Sequence, residues 1–228
     1  MSATQTILRI VEPMVFRFRK ATLTVLTLIT LAFSWQASQL QPAAGWLKMV
    51  PQDHPYMETF LEYYDDFGGA NTIIVALKNE NGSIYQPEFM ETLRQVTDDV
   101  FFVTGVDRAR VTSIFTPNIY YVEVVEGGLA GENVIPRDYA PTEAMMPRIR
   151  SNVGKANVIG RLVSEDESAA MVVAELLDFD PVTGNPLDYT SVGAQLEKIR
   201  AEYEKDGITL HIIGFAKIVD DITAASIE

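Results

Sequence analysis

A stretch of uncharged residues directly after a basic cluster leaves few possibilities for the N-terminal part of this chain. Ala21 to Leu40 contains mainly Leu, Ile, Val, Phe and Ala, with Thr and Ser among them. As a helix this segment is ~30 Å long, which matches the hydrocarbon core of a bilayer. Its hydroxyl groups can donate to the preceding helical turn and are therefore tolerated in lipid. We predict a transmembrane helix over residues 19–41.

Two other interpretations of this segment are a cleaved secretory signal and a buried helix of a soluble protein. A signal has a shorter apolar region, of about 7–15 residues, and ends at a small-x-small cleavage site. The sequence "WQASQLQPAAG" offers only imperfect sites, so we favour the retained span. Arg17, Arg19 and Lys20 precede it, and the positive-inside rule then places the N-terminus in the cytoplasm. The bulk of the chain is expected in the periplasm, attached to a bacterial inner membrane.

The cytoplasmic segment is expected to cover residues 1–18. Ile7, Ile10, Val11 and Met14 follow one another at helical spacing. A short amphipathic helix on the inner membrane face fits this spacing, and a frayed tail fits it equally well.

The charge of the chain is unevenly distributed. The whole chain has 18 basic and 31 acidic side chains and a formal net charge of −13, and only four basic residues and one acidic residue lie within the first forty. The remainder is therefore strongly acidic, which excludes nucleic acid as a partner because such binding needs Lys and Arg to neutralise phosphates. The chain has no cysteine, which excludes disulfides and thiolate chemistry.

In the first half of the predicted exported domain, the sequence pattern predicts a helix, a strand, a second helix and a second strand, in this order. Residues 53–67 have helical periodicity behind a possible N-cap at Asp53, and residues 71–79 form a β-rich apolar run. A helix begins at Pro87, with Phe89, Leu93, Val96 and Val100 on one face, and residues 109–116 follow as a strand.

The second half repeats this order. Residues 118–136 read as a loop carrying a short strand, and residues 142–152 as a short helix interrupted by Pro147. A β-hairpin over 158–178, a helix over 189–205 and a strand over 208–216 follow. Strand-helix-strand twice over is the split βαβ order, so we expect an α+β, ferredoxin-like domain over residues 42–216 with two helices on one face of a four-stranded antiparallel sheet. Residues 217–228 then begin another helix.

The sequence contains no arrangement of residues typical of an enzyme. His211 has no ligand partner at i+3 or i+4, and His54 has only Glu58 at i+4, which is too few ligands for a metal site. No Gly-x-Ser-x-Gly nucleophile motif occurs, and adjacent Asp pairs point in different directions on a helix. The acidic "SEDES" segment fits a polar turn better than a calcium site. We expect no enzyme activity, no metal and no cofactor.

Aromatic and methionine side chains are concentrated in or beside the long loops. Such residues line adaptable apolar grooves, but they also cap hydrophobic cores. Both interpretations stay open, and the candidate substrate-binding residues are Phe101, Phe102, Phe115, Tyr120, Tyr121, Met145 and Met146.

Several segments together give the chain a family resemblance. They are "DHPYMETFLEYYDDFGGANTIIVAL", "LRQVTDDVFFVTGVDRARVTSIFTP", "NVIGRLVSEDESAAMVVAELL" and "LHIIGFAKIVDDI". With the basic cluster and the span before them, they resemble the N-terminal part of RND-superfamily exporters, in the branch of MMPL-like and hopanoid- or sterol-associated transporters. The resemblance covers residues 15–222 and rests on the general residue pattern of these segments, without a signature motif.

The resemblance implies proton-driven export of a hydrophobic or lipid substrate, with this domain forming part of the periplasmic path. Its partners are then the bilayer, the substrate, the remaining spans of the transporter or like subunits, and a periplasmic protein. The chain departs from the family because it has one span with no ionisable residue. We expect the final helix to lead toward a missing second span. The alternative is a single-pass anchored domain that binds a protein and transports nothing.

Overall fold

The computed structural model describes residues 17–38, 51, 53–64, 71–205 and 207–225. The chain divides into two compact units, Met1–Ala43 and Ala44–Glu228. The expected amphipathic segment in residues 1–16 and the last residues of the helix predicted over 53–67 lie outside the described residues.

The described part of the first unit is dominated by helix α1, Arg19–Ala37. None of its residues is buried, and its large apolar side chains, such as Leu28 and Phe33, are exposed on all sides. Among the described residues, no helix combines the length and the apolarity needed to cross a membrane. The predicted span over 19–41 is therefore not supported. Thr and Ser recur along α1 and Gln36 lies near its end, and these polar side chains lower the mean hydropathy of the helix.

The second unit is built on a three-stranded antiparallel sheet. Its strands are β1 (Thr72–Asn79), β4 (Ala169–Glu175) and β5 (Ile208–Gly214), in the order β4-β1-β5. In the centre, Val75 of β1 is paired with Val172 on one side and Ile212 on the other. All three are buried, because alternate residues of a strand face the same side of the sheet.

A fourth strand is reduced to a short edge segment beside β4. Backbone bridges join Val106 to Leu176 and Thr112 to Val173, and between them Arg108–Arg110 forms a 3₁₀ turn. The prediction of a strand over 109–116 is therefore wrong in its bounds. The turn interrupts the ladder because Asp107 accepts a hydrogen bond from the amide of Ala109 and holds the backbone in a tight bend.

Two helices cover one face of the sheet, as expected from the sequence. They are α3 (Pro87–Phe102) and α5 (Tyr189–Tyr203). The apolar stripe predicted on α3 is buried, and Asp188 caps α5 by accepting from the amides of Thr190 and Ser191. These helices and the buried face of the sheet contribute most of the core, which also includes residues from loops and a further short helix. Its largest fully buried members are Phe89, Ile73, Leu77, Ile84, Met90, Leu93, Ile114, Ile149, Leu176 and Leu196.

A β-hairpin and a short helix lie between the two halves. Strands β2 (Tyr120–Val125) and β3 (Gly128–Asn133) form the hairpin, where the sequence predicted a loop with one short strand. Helix α4 is Met146–Lys155. Pro147 lies in its first turn and does not interrupt it, since a proline there leaves no hydrogen bond unmade.

Three further expectations differ in detail from the structure. Helix α2, Pro55–Glu62, is capped by His54, whose Nδ1 accepts from the amide of Tyr56, and not by Asp53. Only the second arm of the predicted 158–178 hairpin is a regular strand, β4, and the first arm is joined to it by a single bridge from Val163 to Ala170. The final helix, α6, begins at Phe215.

Helix α6 packs against α5 through an ionic cluster. The ammonium of Lys217 lies 2.8 Å from Glu197 and 3.5 Å from Asp220, and it also pairs with Asp221. Gly193 of α5 lies against Asp220. The first part of the predicted tail helix is thus tied to the domain. Whether it leads to another span stays a prediction.

Candidate functional site

The seven predicted substrate-binding residues lie in three different places. Phe101 and Phe102 end α3. Phe102 is exposed, and the guanidinium of Arg108 lies 5.4 Å from the centre of its ring. Phe101 is partly buried against the core, and its carbonyl accepts from Nε of Arg108. This pair is therefore fixed by a cation–π contact and a backbone hydrogen bond.

A second group belongs to the core. Phe115 makes an edge-to-face contact with Tyr139, with ring centres 5.3 Å apart. Met146 is buried and Met145 packs against the core beside it. These three residues thus pack in or against the hydrophobic core.

Tyr120 and Tyr121 point to opposite faces of the hairpin, because successive residues of a strand alternate. Tyr121 is buried, and the ammonium of Lys155 lies 4.9 Å from the centre of its ring. Tyr120 is exposed. Of the seven residues, only Phe102 and Tyr120 thus present most of their surface to solvent. Whether any of the seven contacts a substrate stays a prediction.

The outer face of the hairpin carries apolar residues that the sequence analysis missed. Val122 and Val124 follow Tyr120 on this face, and Leu129 lies directly opposite Val124 in the neighbouring strand. These four residues, Tyr120, Val122, Val124 and Leu129, are named here the hairpin face. They are 60%, 57%, 84% and 74% exposed. The alternation in "YYVEVV" before Glu126-Gly127 is the signal that could have revealed this face.

The inner face of the hairpin is held to α4 by charged pairs. Lys155 lies 2.7 Å from Glu123, and Arg148 lies 2.7 Å from Glu132 and 3.0 Å from Asp138. The hydrogen bond from Lys155 to Glu123 raises the pKa of the lysine. The hairpin is therefore amphipathic, with charged contacts toward α4 and an apolar outer face.

Tyr139 adds an unusual polar group beneath this region. Its hydroxyl is buried and makes no hydrogen bond within the described part of the chain. Burial raises the pKa of Tyr139 to about 12, and the nearby carboxylate of Glu91 contributes to the rise. The phenol therefore stays neutral at physiological pH and acts as a packing group.

The described residues offer no evident place for a metal or cofactor. They contain no group of three or more His, Cys, Asp or Glu side chains that could hold a metal ion. A shallow pocket of about 290 Å³ lies where β1 ends and α3 begins, lined by Asn79, Asn81, Gln86, Glu88, Phe89, Thr92, Lys205 and Ile208. None of the seven predicted residues lines it.

Comparison with known proteins finds sequence similarity to a protein described as a membrane protein. No family model matches the sequence. The chain is 24% identical over 159 residues to "Putative membrane protein MJ1562" of Methanocaldococcus jannaschii. The match covers 67% of this chain and 37% of that protein. The chain thus spans well under half the length of this relative.

Proposed function

We propose that this chain is the N-terminal part of a membrane-bound exporter of the RND type that handles a hydrophobic or lipid substrate. In this proposal α1 attaches the chain to the bilayer, and the second unit forms part of the substrate path outside the cytoplasm. The observation that carries the proposal is α1 itself: its surface is uncharged from Ala21 to Ala37, and none of its residues is buried. A helix that exposes large apolar side chains along an uncharged surface is stabilised where another apolar phase or protein covers them.

The topology of the second unit also favours this family. With the edge segment from Val106 to Thr112 included, the strand order from one edge to the other is β5, β1, β4 and the segment. This is the order of a ferredoxin-like split βαβ sheet, the architecture that the family resemblance implies. The fold alone hosts many functions, so the proposal also needs the membrane attachment and the exposed apolar residues.

The similarity to a longer protein described as a membrane protein supports the same proposal. A longer chain can supply the further spans and the proton-relaying residues that an exporter needs. Proton-driven transport is therefore assigned to the whole transporter and not to this part alone.

Vesicle flotation of the full chain tests the membrane attachment. We expect the wild-type chain to float with phosphatidylcholine vesicles and the double variant Leu26→Asp, Leu28→Asp to stay at the bottom, because each charge in hydrocarbon costs about 2.5–3.5 kcal/mol. Val182→Asp is the matched control, since Val182 is an exposed valine in the second unit. If the double variant floats as well as the wild type, α1 is not the attachment.

A fluorescent-lipid titration then tests substrate handling. Saturable binding that weakens on Tyr120→Ser or Phe102→Ser supports a substrate path. Flotation without any saturable lipid binding contradicts that part of the proposal and favours an anchored domain that binds a protein.

A further inference from the structure

The hairpin β2–β3 presents an apolar surface whose shape and charge point to one kind of partner. Val124 and Leu129 are a directly paired couple, and Val122 lies two residues before Val124. Side chains in these positions form one continuous patch on one face of a ladder. We propose that the hairpin face lies flat on a lipid bilayer surface and docks the second unit there. This inference rests on the membrane association proposed above.

The size of the patch argues against a protein partner. The four side chains together expose on the order of 400 Å², which is typical of the largest apolar patch on a monomer. A stable protein interface needs about 800 Å² from each partner. A second copy seated on this face alone would therefore bury too little surface for a lasting dimer. A bilayer interface has no such minimum, because the rest of the chain also holds the protein at the membrane.

The types of side chain on the hairpin face suit the interfacial region of a bilayer. Tyr120 lies at one end of the face with its hydroxyl, and the aliphatic Val122, Val124 and Leu129 continue toward the turn. Tyrosine is favoured at the headgroup level because one end of its ring is apolar and the other is polar. The aliphatic side chains can enter the acyl boundary from the same plane.

The opposite face explains why the hairpin lies flat and does not pierce the bilayer. Its charged residues Glu123 and Glu132 are paired with Lys155 and Arg148 of α4, so this side cannot enter hydrocarbon. A two-stranded ladder also has open edges, whose backbone groups need water. At the interface these edges stay hydrated while the apolar face is covered.

The local charge specifies the type of bilayer. Glu126 is exposed in the turn at the end of the hairpin face, whereas Glu123 and Glu132 lie on the opposite face and are paired with Lys155 and Arg148. The chain carries a formal net charge of −13. An anionic surface therefore repels this docking face, and a zwitterionic surface of phosphatidylcholine accepts it.

Cysteine labelling of the full chain tests this docking directly. The chain has no native cysteine, so Val124→Cys and Leu129→Cys can each carry one environment-sensitive fluorophore. Val182→Cys is the matched control, because Val182 is 89% exposed and lies in a loop of the same unit. With phosphatidylcholine vesicles containing a nitroxide-labelled lipid, we expect quenching at 124 and 129 to exceed quenching at 182 by roughly twofold or more, since only the docked labels reach the acyl boundary.

The lipid composition and the salt concentration provide a second readout. Replacing half of the lipid with phosphatidylglycerol should reduce quenching at 124, and 1 M salt should restore it because the Debye length falls from about 10 Å at 0.1 M to about 3 Å. Glu126→Gln should lessen the difference between the two lipids. Circular dichroism confirms that each variant keeps its fold.

The possible failures lead to different conclusions. If the chain floats with vesicles but the label at 124 is quenched no more than the label at 182, the docking inference is wrong and the membrane attachment stands. If the chain does not float at all, both proposals are wrong. If the label at 124 becomes shielded without lipid as the protein concentration rises, the face is an interface between copies, which also overturns the inference.

Discussion

Gly193 shows how one missing side chain allows two helices to approach. It lies buried in α5 where α6 crosses, and a Cβ placed on it would lie 2.4 Å from the Cβ and Cγ atoms of Asp220. Atoms at that separation overlap, so Asp220 or the whole of α6 would have to move. The close approach lets Lys217 reach both Glu197 and Asp220. Glycine is thus required here for space and not for an unusual backbone angle.

Substitution of this glycine should separate the two helices. We expect Gly193→Ala to lower the free energy of unfolding by about 1–3 kcal/mol, as overpacking of a close contact does. Gly154 is the matched control, since it also lies in a helix but has open space around its Cα. Gly154→Ala should raise the free energy of unfolding by up to ~1 kcal/mol through helix propensity. Urea denaturation measures both, and shifts of the same sign would contradict the packing argument.

Tyr139 should make the stability of the protein depend on pH in the alkaline range. Burial raises its pKa from 10.0 to about 12 in the folded chain. Between these values the unfolded chain loses the phenolic proton and the folded chain keeps it. The free energy of unfolding should therefore fall as the pH rises from 10 to 12.

Comparison of two variants isolates the contribution of Tyr139. The partly buried hydroxyls of Tyr64, Tyr85 and Tyr203 also have raised pKa values, so the wild type alone is not diagnostic. Urea denaturation at several pH values should show a shallower decline for Tyr139→Phe than for the wild type. Tyr56→Phe, at an exposed position, should follow the wild type. Parallel declines for all three proteins would contradict the assignment.

At the scale of elements, the hairpin depends on α4 for its stability. An isolated two-stranded hairpin is marginally stable in water unless it packs against another element. Lys155 provides much of this packing, because it contacts the ring of Tyr121 and pairs with Glu123. The hairpin face is therefore held in position by residues on the other side of the strands.

Loss of Lys155 should loosen the hairpin more than the rest of the domain. We expect Lys155→Ala to remove both the ion pair with Glu123 and the cation–π contact with Tyr121, and so to weaken the attachment of the hairpin to α4. Hydrogen exchange at the amides of β2 and β3 should accelerate, while exchange in β1 stays unchanged. Lys198→Ala, at an exposed position on α5, is the control and should leave both strands as they are. Equal exchange in the two variants would contradict this role for Lys155.

The elements that could be predicted from the sequence are those with strong local periodicity. β1, α3 and α5 were located within a few residues because their apolar residues repeat at the spacing of a strand or a helix. The edge segment was misjudged because its apolar composition does not reveal the turn at Arg108–Arg110. The sequence predicts a loop with one short strand here, and not a hairpin, because glycines in β3 weaken its strand signal.

The candidate site was predicted only in part, for a related reason. Residue type identified an aromatic-rich region but not which side chain faces outward. Alternation alone separates Tyr120 from Tyr121, and it also leads to Val122 and Val124. The pairing of Leu129 with Val124 depends on the register of the hairpin. This register is set by the geometry of the turn and cannot be read from residue composition.

At the scale of the whole molecule, the hydrophobic core belongs to one unit. The buried apolar residues among those described all lie between Ile73 and Ala216, within the unit Ala44–Glu228. The first unit contributes α1, which buries none of its own residues. Every buried apolar residue that the structure describes therefore belongs to the second unit.

Removal of residues 1–43 should leave a domain that folds by itself. We expect residues 44–228 to unfold cooperatively in urea, with a free energy of unfolding within about 0.5 kcal/mol of the full chain, because surface changes away from a core have small effects. The full chain measured without lipid is the reference, and near-ultraviolet circular dichroism reports the tertiary packing around the tyrosines. A broad, non-cooperative transition in the shortened chain would mean that the first unit is needed for the fold. A cooperative transition would mean that the domain folds without α1. The apolar surface of α1 is then available for contacts outside this core, as the proposed membrane attachment requires.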